Sequence, residues 1–297
     1  MFMRFEPVDI TMKDMVERYT KSWKLESSEY TFTNLLMWGV GGRIRLAEEN
    51  DTLYFLLQYG EDRYLFAPLT LNPAGDYQLA LDSAAAWCRE NGVDPLFKAI
   101  SGPIKEAFDR CRGYALTDDR DNYDYVYTMA ELRDLSGKKL HAKRNHINQF
   151  MANYGDRYEY VPVTSSMLEE CVQVYQEWLS GKDPDDADDL ELCAIKIAMR
   201  HMKELGVVGG GIRIDGKLSA FTLGQRIDER AAVIHIEKAD GGVVGLYTVI
   251  NNLFIKNEFQ DMEVINREED MGMEGLRKAK LSYNPVYLIE KFEGRPV

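Results

Sequence analysis

The stretch Val233–Phe254, VIHIEKADGGVVGLYTVINNLF, reads as strand, glycine loop and helix, and it decides the fold class. Alternation places Val233, His235 and Glu237 on one strand face, with Ile234, Ile236 and Lys238 on the other. Leu246, Val249, Ile250, Leu253 and Phe254 recur at helical spacing, so one side of the following helix is buried. Between strand and helix, Gly241, Gly242 and Gly245 leave backbone N–H groups at a helix N-terminus, where the macrodipole favours an anion. The same glycines would equally serve a tight turn that needs their conformational freedom.

Working outward, the order of elements repeats. The first half reads as two helices (MKDMVERYTKSW and YTFTNLLMWG), a strand-turn-strand over residues 42–60 and a strand RYLFAPL. Helix YQLALDSAAAWCRENG follows and stops at Gly92, then a strand near Leu96–Ile100, a helix from Pro103 and the tyrosine-rich strand NYDYVYTM. After a basic helix, the second half gives a strand near Tyr158–Val163, two helices (165–179 and 190–206) and a hairpin turning at Asp215-Gly216. The opening stretch comes next, then strand MEVIN, a helix from about Gly272 and a final strand VYLIEKFE. Two similar mixed α/β (α+β) halves follow: residues 1–135, a basic connecting helix at 136–156, and residues 157–297.

At 297 residues the chain exceeds what one core usually carries. No apolar run approaches the ~20 residues of a membrane span, and the start is not a basic-then-apolar leader. Four scattered cysteines without a CxxC pair point to reduced thiols and a cytoplasmic location. The net charge of −13 repels nucleic acid and anionic lipid, so contact with either, tRNA included, must go through a local basic patch.

Three stretches carry candidate chemistry. His235 and Glu237 flank the glycine loop, and a carboxylate inside an apolar strand needs a partner. In VINREEDMGMEGLRKAKLSYNP, Val264–Pro285, alternation sets Asn266 and Glu268 on one face, Ile265 and Arg267 on the other. Gly275 inside the next helix costs ~1 kcal/mol relative to alanine, so close packing is expected there. The acids Glu268–Asp270 have no histidine beside them in sequence and fit no metal-binding loop, so no metal is expected. In SGKKLHAKRNHINQF, Ser136–Phe150, Arg144 interrupts an apolar stripe and Lys143 lies beside it, a pattern suited to a phosphate, an acidic substrate or RNA backbone. The run DPDDADDLEL, from Asp183, reads as a solvated acidic helix start.

Taken together, KKLHAKRNHINQF, HIEKA…GLYTVINN and INREEDMGMEGLRKAKLSYNP resemble a bacterial family related to the C-terminal domain of phosphatidylglycerol lysyltransferases. The resemblance runs over nearly the whole chain. It implies two tandem GNAT-like, Fem-type acyltransferase folds, each a mixed central sheet flanked by helices. It further implies acyl or aminoacyl transfer from aminoacyl-tRNA or acyl-CoA, used as co-substrate rather than as a tightly bound cofactor. The acceptor would be an amine or hydroxyl on a small molecule, peptide or lipid. The donor's phosphates would meet Gly241, Gly242, Gly245 and Leu246, with Lys143 and Arg144 as further anion contacts. Glu237 or Glu268 would act as base and Tyr283 as acid, with His235, Asn251 and Asn266 near the substrate. Lys238–Val243 departs from the acyl-CoA loop pattern Gln/Arg-x-x-Gly-x-Gly/Ala at its last residue. The alternatives are a non-catalytic protein that binds a small acidic ligand or peptide, and an RNA-binding module.

Overall fold

The computed structural model describes residues 3–181 and 189–297, so the acidic run from Asp183 to Asp188 lies outside the described residues. The chain divides into two compact units, Met1–Asp124 with Ile289–Val297, and Tyr125–Leu288. The change of unit thus comes at Asp124 rather than at residue 135, and the chain returns to the first unit at Ile289.

The first unit opens with β1 (Glu6–Pro7), α1 (Lys13–Trp23) and α2 (Phe32–Trp38). A meander follows: β2 (Ile44–Glu49), β3 (Thr52–Tyr59) and β4 (Asp62–Thr70). Then come α3 (Tyr77–Glu90), β5 (Phe97–Ile100), α4 (Gly102–Asp109) and β6 (Tyr114–Asp118). The helices bury apolar faces: α3 places Tyr77, Leu81, Ala84 and Cys88 inward and is capped by Asp76, whose side chain accepts from Leu79 N.

The chain then enters β7 (Asp124–Thr128), α5 (Met129–Asp134) and α6 (His141–Tyr154). Helix α6, expected as a connector between halves, belongs to the second unit. Next are β8 (Tyr158–Val163), α7 (Leu168–Ser180), α8 (Asp189–Arg200) and α9 (Met202–Leu205). The long helix expected over 190–206 is therefore two helices, broken at His201. The hairpin is β9 (Val207–Ile214) and β10 (Lys217–Arg226). Its turn residues Asp215 and Gly216 both take positive φ, as a tight two-residue hairpin loop demands. Strand β11 (Ala231–Ala239), α10 (Leu246–Glu258), β12 (Val264–Asn266) and α11 (Glu274–Leu281) follow.

The expected last strand, VYLIEKFE, is two strands in different sheets: β13 (Tyr287–Ile289) and β14 (Phe292–Pro296). Between them Lys291 is buried against Asp124, with Nζ 2.6 Å from Oδ1, and it also pairs with Glu29. A buried ammonium needs such partners, and making them takes the chain out of strand geometry.

Both sheets have seven strands and are mixed, in the orders β1-β2-β3-β4-β5-β14-β6 and β13-β7-β12-β11-β10-β9-β8. Each contains a parallel pair, β4 with β5 and β11 with β12. With the second order read from β8 to β13 the two match position by position, with β14 standing in the first sheet where β7 stands in the second. This is the tandem repeat that the sequence suggests, with the final strand of each repeat exchanged between the sheets. In the second unit α10 covers one sheet face. Its Phe254 and Ile255, with Phe259 just after it, pack with Tyr125, Tyr127, Ile234 and Ile265, while Leu246, Val249 and Ile250 pack with Phe150 and Ile212. Each such apolar side chain contributes about 1.5–3 kcal/mol of burial.

Candidate active site

The parallel seam between β11 and β12 is short. It pairs Ala231 with Val264, Ala232 with Ile265 and Val233 with Asn266, and then ends. Strand β11 runs on to Ala239 against β10, so its last residues have no β12 partner. Two side-chain bridges span the gap. His235 Nδ1 lies 2.8 Å from Glu268 Oε1, and Arg267 Nη2 donates to Glu237 Oε1 at 3.0 Å.

A β-bulge puts these bridges on different faces. Leu223 pairs with Ile236 and Gly224 with Ile234, so His235 is skipped. An extra residue reverses the alternation beyond it. Ile234 packs on Phe254 and Ile255 of α10, and Glu237, three residues on, also reaches α10, where Asn251 Nδ2 donates to its Oε2 at 2.8 Å. Lys238 turns the other way, its Nζ 3.6 Å from the Trp178 ring centre and 2.7 Å from Glu191 Oε1. The simple alternation that grouped Glu237 with Val233 and His235 is thus corrected, and Glu237 shares a face with Arg267.

Around Glu237 a cluster forms. The Tyr283 ring is flanked by two cations, Lys143 Nζ at 3.8 Å and Arg267 Cζ at 4.7 Å from its centre. Tyr283 Oη donates to Thr248 Oγ1 at 3.4 Å, and His146 Nδ1 lies 3.4 Å from the same hydroxyl. Helix α6 supplies Lys143 and His146, β11 supplies Glu237, α10 supplies Thr248 and Asn251, and the segments after β12 and α11 supply Arg267 and Tyr283. Burial, helped by the neighbouring Arg267 and opposed by Glu237, pushes the Lys143 ammonium down to about 8. Burial raises the Tyr283 hydroxyl, so it keeps its proton and acts as a donor. For Arg267, burial works against the charge, but Glu237 and the tyrosines more than restore it. Two polar atoms of the cluster are buried without a partner, Asn251 Oδ1 and Arg267 Nη1.

Four predicted residues, Glu237, Tyr283, Lys143 and Asn251, meet in this cluster. His235, Glu268 and Asn266 form the second bridge: Asn266 Oδ1 accepts from Glu268 N at 2.7 Å, and Glu268 adopts φ 59°. In the glycine loop, Gly242 N donates to Asp240 Oδ1 at 2.8 Å and Leu246 N to Val243 O at 3.3 Å. Gly245, at φ 84°, lies where a Cβ would stand 2.2 Å from His146 O, so it lets α6 cross the start of α10. Gly241 has open space around it. Arg144 donates to Gly137 O at 2.8 Å and to Leu135 O, tying down the turn before α6. Gly275, expected in close packing, has nothing within 4 Å of a Cβ. Among the described residues, no group of three or more His, Cys, Asp or Glu is arranged to hold a metal.

Sequence reasoning missed Arg267 and Thr248. Arg267 was assigned to the face opposite Glu268, and only the bulge brings Glu237 to that face. Thr248 had a signal: with Asn251 and Asn252 it forms a buried polar row at helical spacing within an apolar helix.

Residues 20–293 match the family described as phosphatidylglycerol lysyltransferase, C-terminal. A conserved protein of unknown function from Bacteroides thetaiotaomicron is 31% identical, and the alignment covers 100% of both chains with a TM-score of 0.89. L-PGS from Bacillus licheniformis is 15% identical and superposes over 98% of this chain and 92% of its own at TM-score 0.66. At 0.56, a tandem GNAT protein from the clavulanic acid biosynthesis pathway (11% identical, 99% and 98% covered) and FemX (7%, 98% and 97%) share the fold. Among the described residues no helix is long and apolar enough to cross a membrane.

Proposed function

The chain belongs to the phosphatidylglycerol lysyltransferase C-terminal family, whose relatives by fold are acyl- and aminoacyltransferases, and from that premise we propose that it transfers an acyl or aminoacyl group to an amine or hydroxyl. The donor is aminoacyl-tRNA or acyl-CoA, and the acceptor a small molecule, peptide or lipid. One observation carries this reading: an anchored carboxylate, Glu237, stands within the same cluster as the buried proton donor Tyr283, beside the gap where β11 and β12 part.

In the proposed reaction the acceptor's N–H or O–H gives its proton to Glu237 as its nitrogen or oxygen bonds to the acyl carbon. The donor's ester or thioester bond then breaks, and the leaving atom takes the Tyr283 proton. Arg267 and Asn251 each occupy one lone pair on a Glu237 oxygen, and others remain to receive a proton. Arg267 also balances charge next to the reacting centre.

The test is a transfer assay with labelled aminoacyl-tRNA and acetyl-CoA in parallel, against a panel of amines and alcohols. Glu237→Gln and Tyr283→Phe should each lower turnover at least tenfold. Glu268→Gln, on the other bridge, separates the two carboxylates. Unchanged turnover in both Glu237→Gln and Tyr283→Phe would refute the assignment. Donor or acceptor binding without turnover would instead favour a binding protein.

A further inference from the structure

The two repeats align without a gap over one stretch. Strands β4 and β11 both have nine residues, the loops at 71–76 and 240–245 are equal in length, and α3 and α10 follow directly. Asp76 therefore stands where Gly245 does, Leu79 for Thr248, Ala80 for Val249 and Ser83 for Asn252. In the second unit α5 and α6 cover all four positions. His146 of α6 sits against Gly245 and lies 3.4 Å from the Thr248 hydroxyl, and Phe150 packs with Val249. Asn252 Nδ2 donates to Leu132 O and Arg133 O of α5, both at 2.7 Å. In the first unit the same four positions line an open groove of about 360 Å³, between α3 and the turn at Asn50-Asp51, with Tyr54 in its wall. Leu79 is left 63% exposed there.

We infer that this groove is a docking site for a helix of a partner protein, a helix that is basic and bears an aromatic side chain, as α6 does. Size sets the aromatic part. Ala80 and Ser83 are smaller than the Val249 and Asn252 they replace, and the hole they leave beside Leu79 has room for a ring placed as Phe150 is in the second unit. The rim sets the charge. Where Gly245 admits a carbonyl of α6, Asp76 presents a carboxylate; its Oδ1 caps α3 through Leu79 N, and its other oxygen is left for a cation. Asp51 adds a second carboxylate from the β2–β3 turn, and the lining has no lysine, arginine or histidine. The Asp76 side chain also keeps a partner from crossing as closely as α6 does, so the contact is made by side chains.

Charge also separates a basic partner from a second copy of the chain. A net charge of −13 makes two copies repel, and the chain's own basic helix α6 is already held in the second unit. Attraction between a basic helix and an acidic rim is screened by salt, which gives the docking a signature.

The probe is a fluorescein-labelled synthetic peptide of residues 136–154, the α6 sequence, which carries four lysines or arginines, Phe150 and no acid. It is titrated into the full chain, with anisotropy giving the affinity and amide NMR shifts giving the location. Binding should saturate with a Kd below about 1 mM at low salt, weaken as salt is raised, and shift the amides of Asp51, Leu79 and Ala80. Asp51→Asn/Asp76→Asn keeps the helix cap and the left-handed turn, and should weaken binding at least tenfold. Ala80→Phe fills the groove from within and should do the same; if that variant fails to fold, Leu79→Gln at the exposed position takes its place. A peptide of the same residues in scrambled order should bind at least tenfold more weakly. No saturable binding, affinity retained in the variants, equal affinity for the scrambled peptide, or shifts on α10 in place of α3 (exchange with the resident α6) would each overturn the docking site. Dimerisation of the chain that Ala80→Phe abolishes would assign the groove to a second copy and overturn the partner. No turnover is read, so the result stands apart from the transfer assay.

Discussion

Gly245→Ala tests whether the glycine loop serves packing or ligand. An alanine there meets two penalties. At φ 84° an L-residue pays roughly 1–2 kcal/mol for the left-handed region. Its Cβ would also stand 2.2 Å from His146 O, 2.9 Å from His146 C and 3.3 Å from Phe150 Cβ. The nearest contacts are backbone of α6, so no side-chain rotation relieves them; α6 has to retreat by about an ångström, an overpacking cost of roughly 1–3 kcal/mol. Together these give roughly 2–5 kcal/mol. At about 2–4 °C per kcal/mol for a domain of this size, a central loss of ~3.5 kcal/mol lowers Tm by about 7–14 °C. Gly241→Ala is the control, since that Cβ meets nothing within 4 Å and its φ is ordinary. Thermal denaturation followed by far-UV circular dichroism reads both, and hydrogen exchange should show α6 amides losing protection in Gly245→Ala alone. A Gly245→Ala midpoint within about 2 °C of wild type would refute the packing argument and return the loop to the list of ligand sites.

Other outcomes follow from the buried charges. Burial alone would raise the Asp270 carboxyl, but Arg277, the Tyr125 hydroxyl and Gly272 N–H hold it down to about 2. Its folded pKa lies below the unfolded value, so it contributes up to about 2 kcal/mol above pH ~4, lost as pH falls toward 2; Asp270→Asn should flatten that part of an acid-denaturation curve. For Lys143 the folded chain binds the proton less tightly than the unfolded one, so its contribution to stability rises with pH between about 8 and 10.5. Lys143→Met should accordingly be more stable than wild type at pH 7, with the gain gone near pH 10.5; a Tm loss at pH 7 would mean the ammonium is already satisfied. Lys291→Met leaves Asp124 buried and short of a cation, and should cost about 3–5 kcal/mol by urea denaturation, with much of it recovered in Lys291→Met/Asp124→Asn.

Much of the fold was legible because apolar periodicity and turn residues are local signals. The strand-loop-helix of residues 233–254, the Asp215-Gly216 hairpin and the repeat order all follow from them. The argument that Glu237 needed a partner also held, and Arg267 and Asn251 are that partner. What escaped was set at long range. A bulge at His235 depends on how β10 lies against β11, and alternation along one strand carries no trace of it. The need for glycine at 245 arises from α6, about a hundred residues earlier. Residues 286–293 read as one strand in the sequence, yet the strand is interrupted at Lys291, whose counter-charges Asp124 and Glu29 are far away in sequence.

The exchange of β7 and β14 bears on how the protein is made. The first sheet needs residues 292–296 to join β5 to β6, and these leave the ribosome after the whole of the second unit. The second sheet is complete at Ile289, whereas the first still lacks the strand that lies between β5 and β6. The first sheet therefore closes only when its last strand is in place, so a chain truncated before Phe292 should expose the β5 and β6 edges to chaperones or to other chains.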